Sequence, residues 1–249
     1  MDRKTRIIEI VNKEGKASVK DLAEILETSQ VTIRKELTDL DEKGLIKREH
    51  GYAIKLDNNR IDTRIGVNYA IKKSIAKLAV ESISDGETVM IESGSTNALL
   101  AEAIGKTKKN VSIITNSIYI AKSLEDYKEI QIILLGGFYQ RESQVNTGPL
   151  TKWCAEQFVV DKIFVGVDGY DEESGFSVID LDRAQSVRDM AKSAKNICVI
   201  TDSSKFREKS TVKLFNLKDV DYVYTDSNIG DLVRENLEKN KVKVRTCKK

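Results

Sequence analysis

From Tyr69 onward, short apolar runs alternate with amphipathic stretches, a rhythm that suits a parallel sheet flanked by helices. The runs at 88–91, 111–115, 130–135, 161–167, 197–201, 220–225 and 242–246 read as strands. Helices fit at 69–82, 97–104, 117–125, 148–158, 182–194 and 229–239. Parallel strands joined by crossover helices bring their connecting loops to the carboxyl edge of the sheet, so a small-molecule site is expected there. No internal repeat or low-complexity tract breaks the pattern.

The first 56 residues keep a different period. Ile7, Ile8, Ile10 and Val11 recur at helical spacing until Gly15 ends the run. Ser18 caps a second helix with Asp21 at the capping-box position, and Leu22, Ala23, Ile25 and Leu26 supply its apolar stripe. Ser29 caps a third, which carries Ile33, Leu37 and Leu40 and closes at Gly44. Two β-prone runs within Leu45–Leu56 then flank a polar turn at Gly51. Three helices and a hairpin in this order describe a winged helix-turn-helix, whose third helix enters the DNA major groove. Gln30, Thr32, Arg34 and Lys35 fall on polar positions near the start of that helix, while Lys47, Arg48 and His50 sit on the hairpin, where a wing meets phosphates. The competing reading is a small three-helix domain for protein contacts, with Arg34 and Lys35 on an ordinary solvated face. Residues 57–68 are polar and without period. They read as a linker between a domain at 1–56 and an α/β domain at 69–249.

Charge and rare residues narrow the functions available. The 249 residues hold 41 Lys/Arg against 39 Asp/Glu, which rules out a strongly basic coat for nucleic acid. Residues 1–56 hold 12 Lys/Arg against 11 Asp/Glu, so one copy would bind DNA weakly and a homo-oligomer, dimer or tetramer, reading two half-sites is expected. His50 is the one histidine, and Cys154, Cys198 and Cys247 are far apart, so His-based zinc sites, Ser-His-Asp catalysis and a disulfide framework are all excluded. No cofactor is expected. No apolar run has a membrane span's length and the charged start is unlike a signal peptide, so a cytoplasmic protein without membrane contact is expected.

In the α/β part, Ile91-Glu92-Ser93-Gly94-Ser95-Thr96 passes from a strand into a helix, where backbone N–H groups and two hydroxyls can meet an anion. A plain helix cap is the simpler explanation of that loop taken alone. Thr115-Asn116-Ser117, Gly136-Gly137, Gly166-Val167-Asp168-Gly169 and Asp202-Ser203-Ser204-Lys205 lie at other strand ends, and Lys205 can add charge toward a phosphate.

Ser29-Gln30-Val31-Thr32-Ile33-Arg34-Lys35-Glu36-Leu37, followed by Leu45-Ile46-Lys47-Arg48-Glu49-His50-Gly51-Tyr52-Ala53, resembles the DNA-binding signature of the DeoR family of bacterial transcriptional regulators. Lys35-Glu36 stands where that pattern has Arg-Asp, and Tyr52 where it has a second glycine. The resemblance continues through Glu92-x-Gly94-Ser95-Thr96, Thr115-Asn116-Ser117, Leu135-Gly136-Gly137, the Asp161 to Gly169 run and Asp202-Ser203-Ser204-Lys205-Phe206. It implies a transcriptional regulator, as a rule a repressor, of a sugar or carbohydrate operon. Its α/β domain would be similar to pentose-phosphate isomerases and would bind a phosphorylated sugar or related anionic metabolite. Ser29 joins the DNA-binding set by this resemblance. The effector set it implies is Gly94, Ser95, Thr96, Gly136, Gly137, Arg141, Asp168, Gly169 and Lys205, with Asp168 on sugar hydroxyls and Lys205 with the Ser95-Thr96 loop on the anionic end.

Two positions depart from the family pattern: Glu92 where aspartate is usual, and Arg183-Ala184 where Glu-Ala is usual, although Arg188 and Met190 agree. A guanidinium at 183 is too basic to shuttle protons at neutral pH, so turnover is not expected. It would instead add a second seat for an anion. A sugar-phosphate isomerase carrying a DNA-binding module, and a dimerisation module with an inert pocket, are the alternatives from other classes.

Overall fold

Side-chain caps start the helices of the amino-terminal unit. In a computed structural model, which describes residues 2–42, 44–55 and 61–247, the Thr5 N–H donates to Asp2 at the head of α1 (Arg3–Glu14). After β1 (Lys16–Ser18), Ser18 accepts from the Asp21 N–H and opens α2 (Val19–Ile25). α3 (Gln30–Glu42) starts on Ser29, whose Oγ accepts from the Thr32 N–H at 3.1 Å. The hairpin β2 (Lys47–Glu49) and β3 (Tyr52–Ile54) turns through His50 and Gly51 at φ 44° and 83°, the left-handed pair of a type I′ turn. Ile7, Ile8, Val11, Leu22, Ile33, Leu37, Leu40 and Ile46 are all buried and form the core.

Two features of this unit differ from the sequence expectation. β1 pairs antiparallel with β3, giving a three-stranded sheet in the order β1-β3-β2. Three residues with one buried position, Ala17, are too few to show a period. In place of an irregular linker over 57–68, residues 61–66 form α4 (Ile61–Gly66), which buries Ile61 and Ile65 and offers the Gly66 carbonyl to Asn12 Nδ2 at 2.8 Å. Leu56 and residues 57–60 lie outside the described residues. The chain divides into compact units at 1–70 and 71–249.

The second unit follows α5 (Tyr69–Val80) with β4 (Thr88–Ile91), α6 (Ser95–Thr107), β5 (Ser112–Thr115), α7 (Ile118–Ser123) and β6 (Gln131–Leu134). A hairpin, β7 (Phe138–Gln140) and β8 (Val145–Thr147), precedes α8 (Pro149–Ala155) and β9 (Val160–Val165). Then come β10 (Gly169–Asp171), β11 (Gly175–Val178), α9 (Leu181–Ala191), β12 (Ala194–Ile200), β13 (Val212–Phe215), β14 (Tyr222–Asp226), α10 (Asp231–Lys239) and β15 (Lys243–Cys247). All seven expected strands are present. They form one parallel sheet in the order β15-β14-β12-β9-β4-β5-β6. β5 and β6 extend from one side of β4 and β9 joins the other, so the winding reverses between β4 and β9, the place at whose carboxyl edge open α/β sheets hold their ligands. The β7–β8 hairpin and the antiparallel sheet β10-β11-β13 were not expected. Their strands of three or four residues are too short to be distinguished from loops.

Among the described residues, no helix is long and apolar enough to cross a membrane, and no group of three metal-ligating side chains comes together. Cys198 on β12 is buried, which pushes its thiol up to about 12; Lys162 opposes the shift, while Asp221 and Glu87 reinforce it. Only about one molecule in ten thousand then carries the thiolate at pH 8. A disulfide-exchange reagent is expected to leave Cys198 unmodified in the folded protein and to reach it in denaturant. Equal rates in the two conditions would contradict its burial.

Candidate functional site

α3 turns Ile33, Leu37 and Leu40 inward, and the opposite stripe carries Val31, Arg34, Lys35 and Thr38. Gln30, Arg34 and Lys35 are exposed, and so is Val31, at 61%. On the rear of the helix, Glu36 receives Arg3 at 2.8 Å and Asp39 receives Lys4 at 2.7 Å. Residues of α1 thus neutralise two of its carboxylates, and the outward stripe keeps its cations. Ser29 and Thr32 spend their hydroxyls on each other at 2.9 Å as well as on the cap, so they shape the start of the helix. Lys47 and His50 are exposed on the wing, Lys47 with Glu49 at 3.7 Å. Arg48 is exposed too but reaches back, donating through Nη1 to Thr38 Oγ1 at 2.7 Å and through its N–H to Asp41 at 3.1 Å. It ties the wing to α3. Val31 was missed in the sequence; its signal is an apolar residue off the buried stripe, suited to a thymine methyl.

In the second unit, the carboxyl edge at this switch point is built around Glu92, the first residue after β4. Its carboxylate is almost fully buried: Oε2 accepts from the Gly166 N–H at 3.1 Å and from Asn97 Nδ2 at 3.4 Å, and Oε1 accepts from Arg183 Nη2 at 3.2 Å. A Cβ on Gly94 or on Gly166 would stand 3.6 Å from Oε2, an ordinary contact, so both loops pass beside this carboxylate without its requiring glycine for space. Arg183 Nη2 also donates to the Ser93 carbonyl, and its N–H to Asp180, which caps α9. Burial works against the guanidinium charge, but Glu92 first, then Asp168 and Asp180, hold its pKa above the ordinary arginine value. The second anion seat expected of Arg183 is therefore corrected, because its charge is already committed to Glu92.

Gly94 is the N-cap of α6 and makes no side-chain cap, so Ser95 and Thr96 follow in the first turn, both buried. Asp168 is buried one strand away, where its Oδ2 accepts from the Ile179 N–H at 3.2 Å. The tip of the β7–β8 hairpin reaches this loop, with Ser93 Oγ donating to the Ser143 carbonyl at 3.5 Å; Arg141 is exposed two residues away, at the rim. Lys205 follows β12, the neighbour of β9, and pairs with Glu208 at 2.8 Å, half-buried.

Gly137 and Gly169 have structural explanations. A Cβ on Gly137 would lie 2.2 Å from Thr151 Oγ1 and 2.6 Å from the Thr147 carbonyl; on Gly169 it would lie 2.7 Å from the Glu208 carbonyl. Gly136 faces Leu150. Gly137 and Gly169 let backbones pass closely, whereas a Cβ on Gly136 would only touch the Leu150 side chain at 3.5 Å. The sequence missed Asn97, buried beside Glu92, and Asn116, whose Oδ1 accepts from the Ser93 N–H while its Nδ2 donates to the Asn146 carbonyl. Asn116 lies in the Thr115-Asn116-Ser117 loop that the sequence marks, where an amide resembles any turn residue, and Asn97 falls at the start of a predicted helix, where it resembles a first-turn residue.

Residues 3–59 match the model of the DeoR-like helix-turn-helix domain, and residues 67–227 that of the DeoR C terminal sensor domain. The chain is 30% identical over 241 residues to the HTH-type transcriptional regulator GlpR of Haloferax volcanii, covering 95% of this chain and 94% of that one. It is 29% identical over 249 residues to the glycerol-3-phosphate regulon repressor of Escherichia coli K12, covering 98% of each. It is also 28% identical over 243 residues to the transcriptional repressor AccR of Agrobacterium fabrum, covering 96% and 94%. These relatives are named as regulators and repressors, not as enzymes. Among solved structures, a ribose 5-phosphate isomerase A from Methanocaldococcus jannaschii matches at TM-score 0.41 and 22% identity, over 56% of this chain and 55% of that one. eIF2B beta from Chaetomium thermophilum matches at TM-score 0.48 and 17% identity, over 90% and 62%.

Proposed function

The chain belongs to the DeoR family of transcriptional regulators, and from that premise we propose that it represses a carbohydrate-metabolism operon and loosens or tightens on its operator when a phosphorylated sugar binds. The carrying observation is the exposed cationic stripe of α3 beside a wing that also carries cations. Arg34 and Gln30 read base edges, Val31 meets a thymine methyl, and Lys35, Lys47, Arg48 and His50 hold phosphates, with Ser29 and Thr32 setting the start of the helix. Near-neutral charge in the first 56 residues favours a homo-oligomer that places two such helices on successive half-sites in cytoplasmic DNA.

The effector lies at the carboxyl ends of β4 and β9. Gly94, Ser95 and Thr96 offer the phosphate a helix N-terminus and two hydroxyls. Lys205 gives up an exposed pairing with Glu208, an exchange worth about 0–1 kcal/mol, to add a cation. Arg141 closes from the hairpin tip and Asp168 takes sugar hydroxyls, while Gly137 and Gly169 keep the surrounding backbones close and Gly136 adjoins them.

The test begins by selecting binding sequences from a random duplex pool with the full-length protein. Paired half-sites are expected. Titrating the selected duplex in the presence of individual sugar phosphates is then expected to show at least one that changes its affinity about 5–150-fold. A panel in which none does removes the sensing role, and a pool that yields no consensus removes the DNA-reading role.

A further inference from the structure

Two buried polar atoms beside Glu92 lack partners among the described residues: Arg183 Nε, a donor, and Asn97 Oδ1, an acceptor. Their side chains hold the two oxygens of one carboxylate, Arg183 on Oε1 and Asn97 on Oε2. The Arg183 side chain is 11% exposed and that of Glu92 2%. Desolvated groups of this kind call for a partner. A hydroxyl both accepts and donates, so the hydroxyls of a polyol supply an acceptor to Arg183 Nε and a donor to Asn97 Oδ1. A phosphate or carboxylate at neutral pH accepts only. It would leave Asn97 Oδ1 unsatisfied and stand against Glu92, Asp168 and Asp180, three carboxylates set about a single guanidinium.

We infer that the carboxyl edge between β4 and β9 reads a neutral, hydroxyl-bearing end of the effector through Arg183 and Asn97, and that its carboxylates reject a second anionic group there. Arg183 and Asn97 are specificity-determining residues, and the effector carries one phosphate only. The inference rests on the reading of the Gly94-Ser95-Thr96 loop as the phosphate seat.

Calorimetric titration of the full-length protein tests it, with inorganic phosphate as the probe of the seat and matched pairs as probes of the far end. The pairs are glucose 6-phosphate with gluconate 6-phosphate, fructose 6-phosphate with fructose 1,6-bisphosphate, and ribulose 5-phosphate with ribulose 1,5-bisphosphate. A monophosphate that binds is expected to bind at least about tenfold more tightly than its doubly charged partner. Arg183→Lys keeps a cation for Glu92 but lacks the Nε–H; it is expected to cost that monophosphate about tenfold more than it costs inorganic phosphate. A doubly charged partner binding equally well or better, or an Arg183→Lys loss equal for both probes, overturns the inference and leaves the phosphate seat standing. Binding of inorganic phosphate but of no sugar monophosphate overturns the hydroxyl end alone. If neither binds, the phosphate seat is refuted and the inference falls with it.

Discussion

Glu92→Ala is expected to destabilise the second unit by about 3–5 kcal/mol, the usual loss when one partner of a buried ion pair is removed. Three groups lose their acceptor at once: the Arg183 guanidinium, the Gly166 N–H and the second contact of Asn97 Nδ2. The guanidinium is the costly one. It cannot escape by deprotonating, because its pKa lies far above any working pH, and burial deprives it of water. A loss of this size lowers the unfolding midpoint by roughly 10 °C in a unit this large. Trp153 on α8 is the only tryptophan, so its fluorescence reports on the second unit. The combined Glu92→Gln, Arg183→Met protein removes both charges and is expected to recover much of the loss. A Glu92→Ala penalty below about 1 kcal/mol would mean that Arg183 reaches water readily, and that the pair does not organise this edge of the sheet.

The parallel sheet was readable because its strands are covered on both faces and therefore appear as continuous apolar runs, such as Val89, Met90 and Ile91. The first three helices were readable from their caps, since Ser18 and Ser29 accept the N–H groups their positions predict. β1, the β7–β8 hairpin and the β10-β11-β13 sheet were not, because pairing at this length is decided by partners elsewhere in the chain. The same limit governs the site. Loops at strand ends show in sequence where the carboxyl edge of the sheet lies, and Gly94 through Thr96, Asp168 and Lys205 do follow strands of that sheet. Arg183 was seen as an unusual residue and misread as an open cation, because its partner lies 91 positions earlier and only the fold brings them together. Asn97 falls in the first turn of a predicted helix, and nothing local separates it from any other polar residue there.

On the DNA side, Arg34→Ala is expected to weaken binding to the selected operator about 5–150-fold per half-site, the value of one good bidentate base contact. In a complex that engages two half-sites the loss counts twice, so the cognate affinity falls toward the non-specific level. Base discrimination should relax at one position of each half-site. Lys35→Ala should act differently, lowering affinity nearly uniformly across sequences and reducing the salt slope by about one for each copy bound. The contrast follows from the chemistry of the two groups: the guanidinium is a planar fork that matches a base edge, and the ammonium is a point charge that matches phosphate. Lys4→Ala supplies the control, because Lys4 pairs with Asp39 on the rear of α3 and is predicted to leave operator affinity within about threefold of the parent. If Arg34→Ala and Lys4→Ala weaken binding alike, or if Arg34→Ala leaves discrimination among half-site sequences intact, the outward stripe of α3 is not the surface that reads the groove.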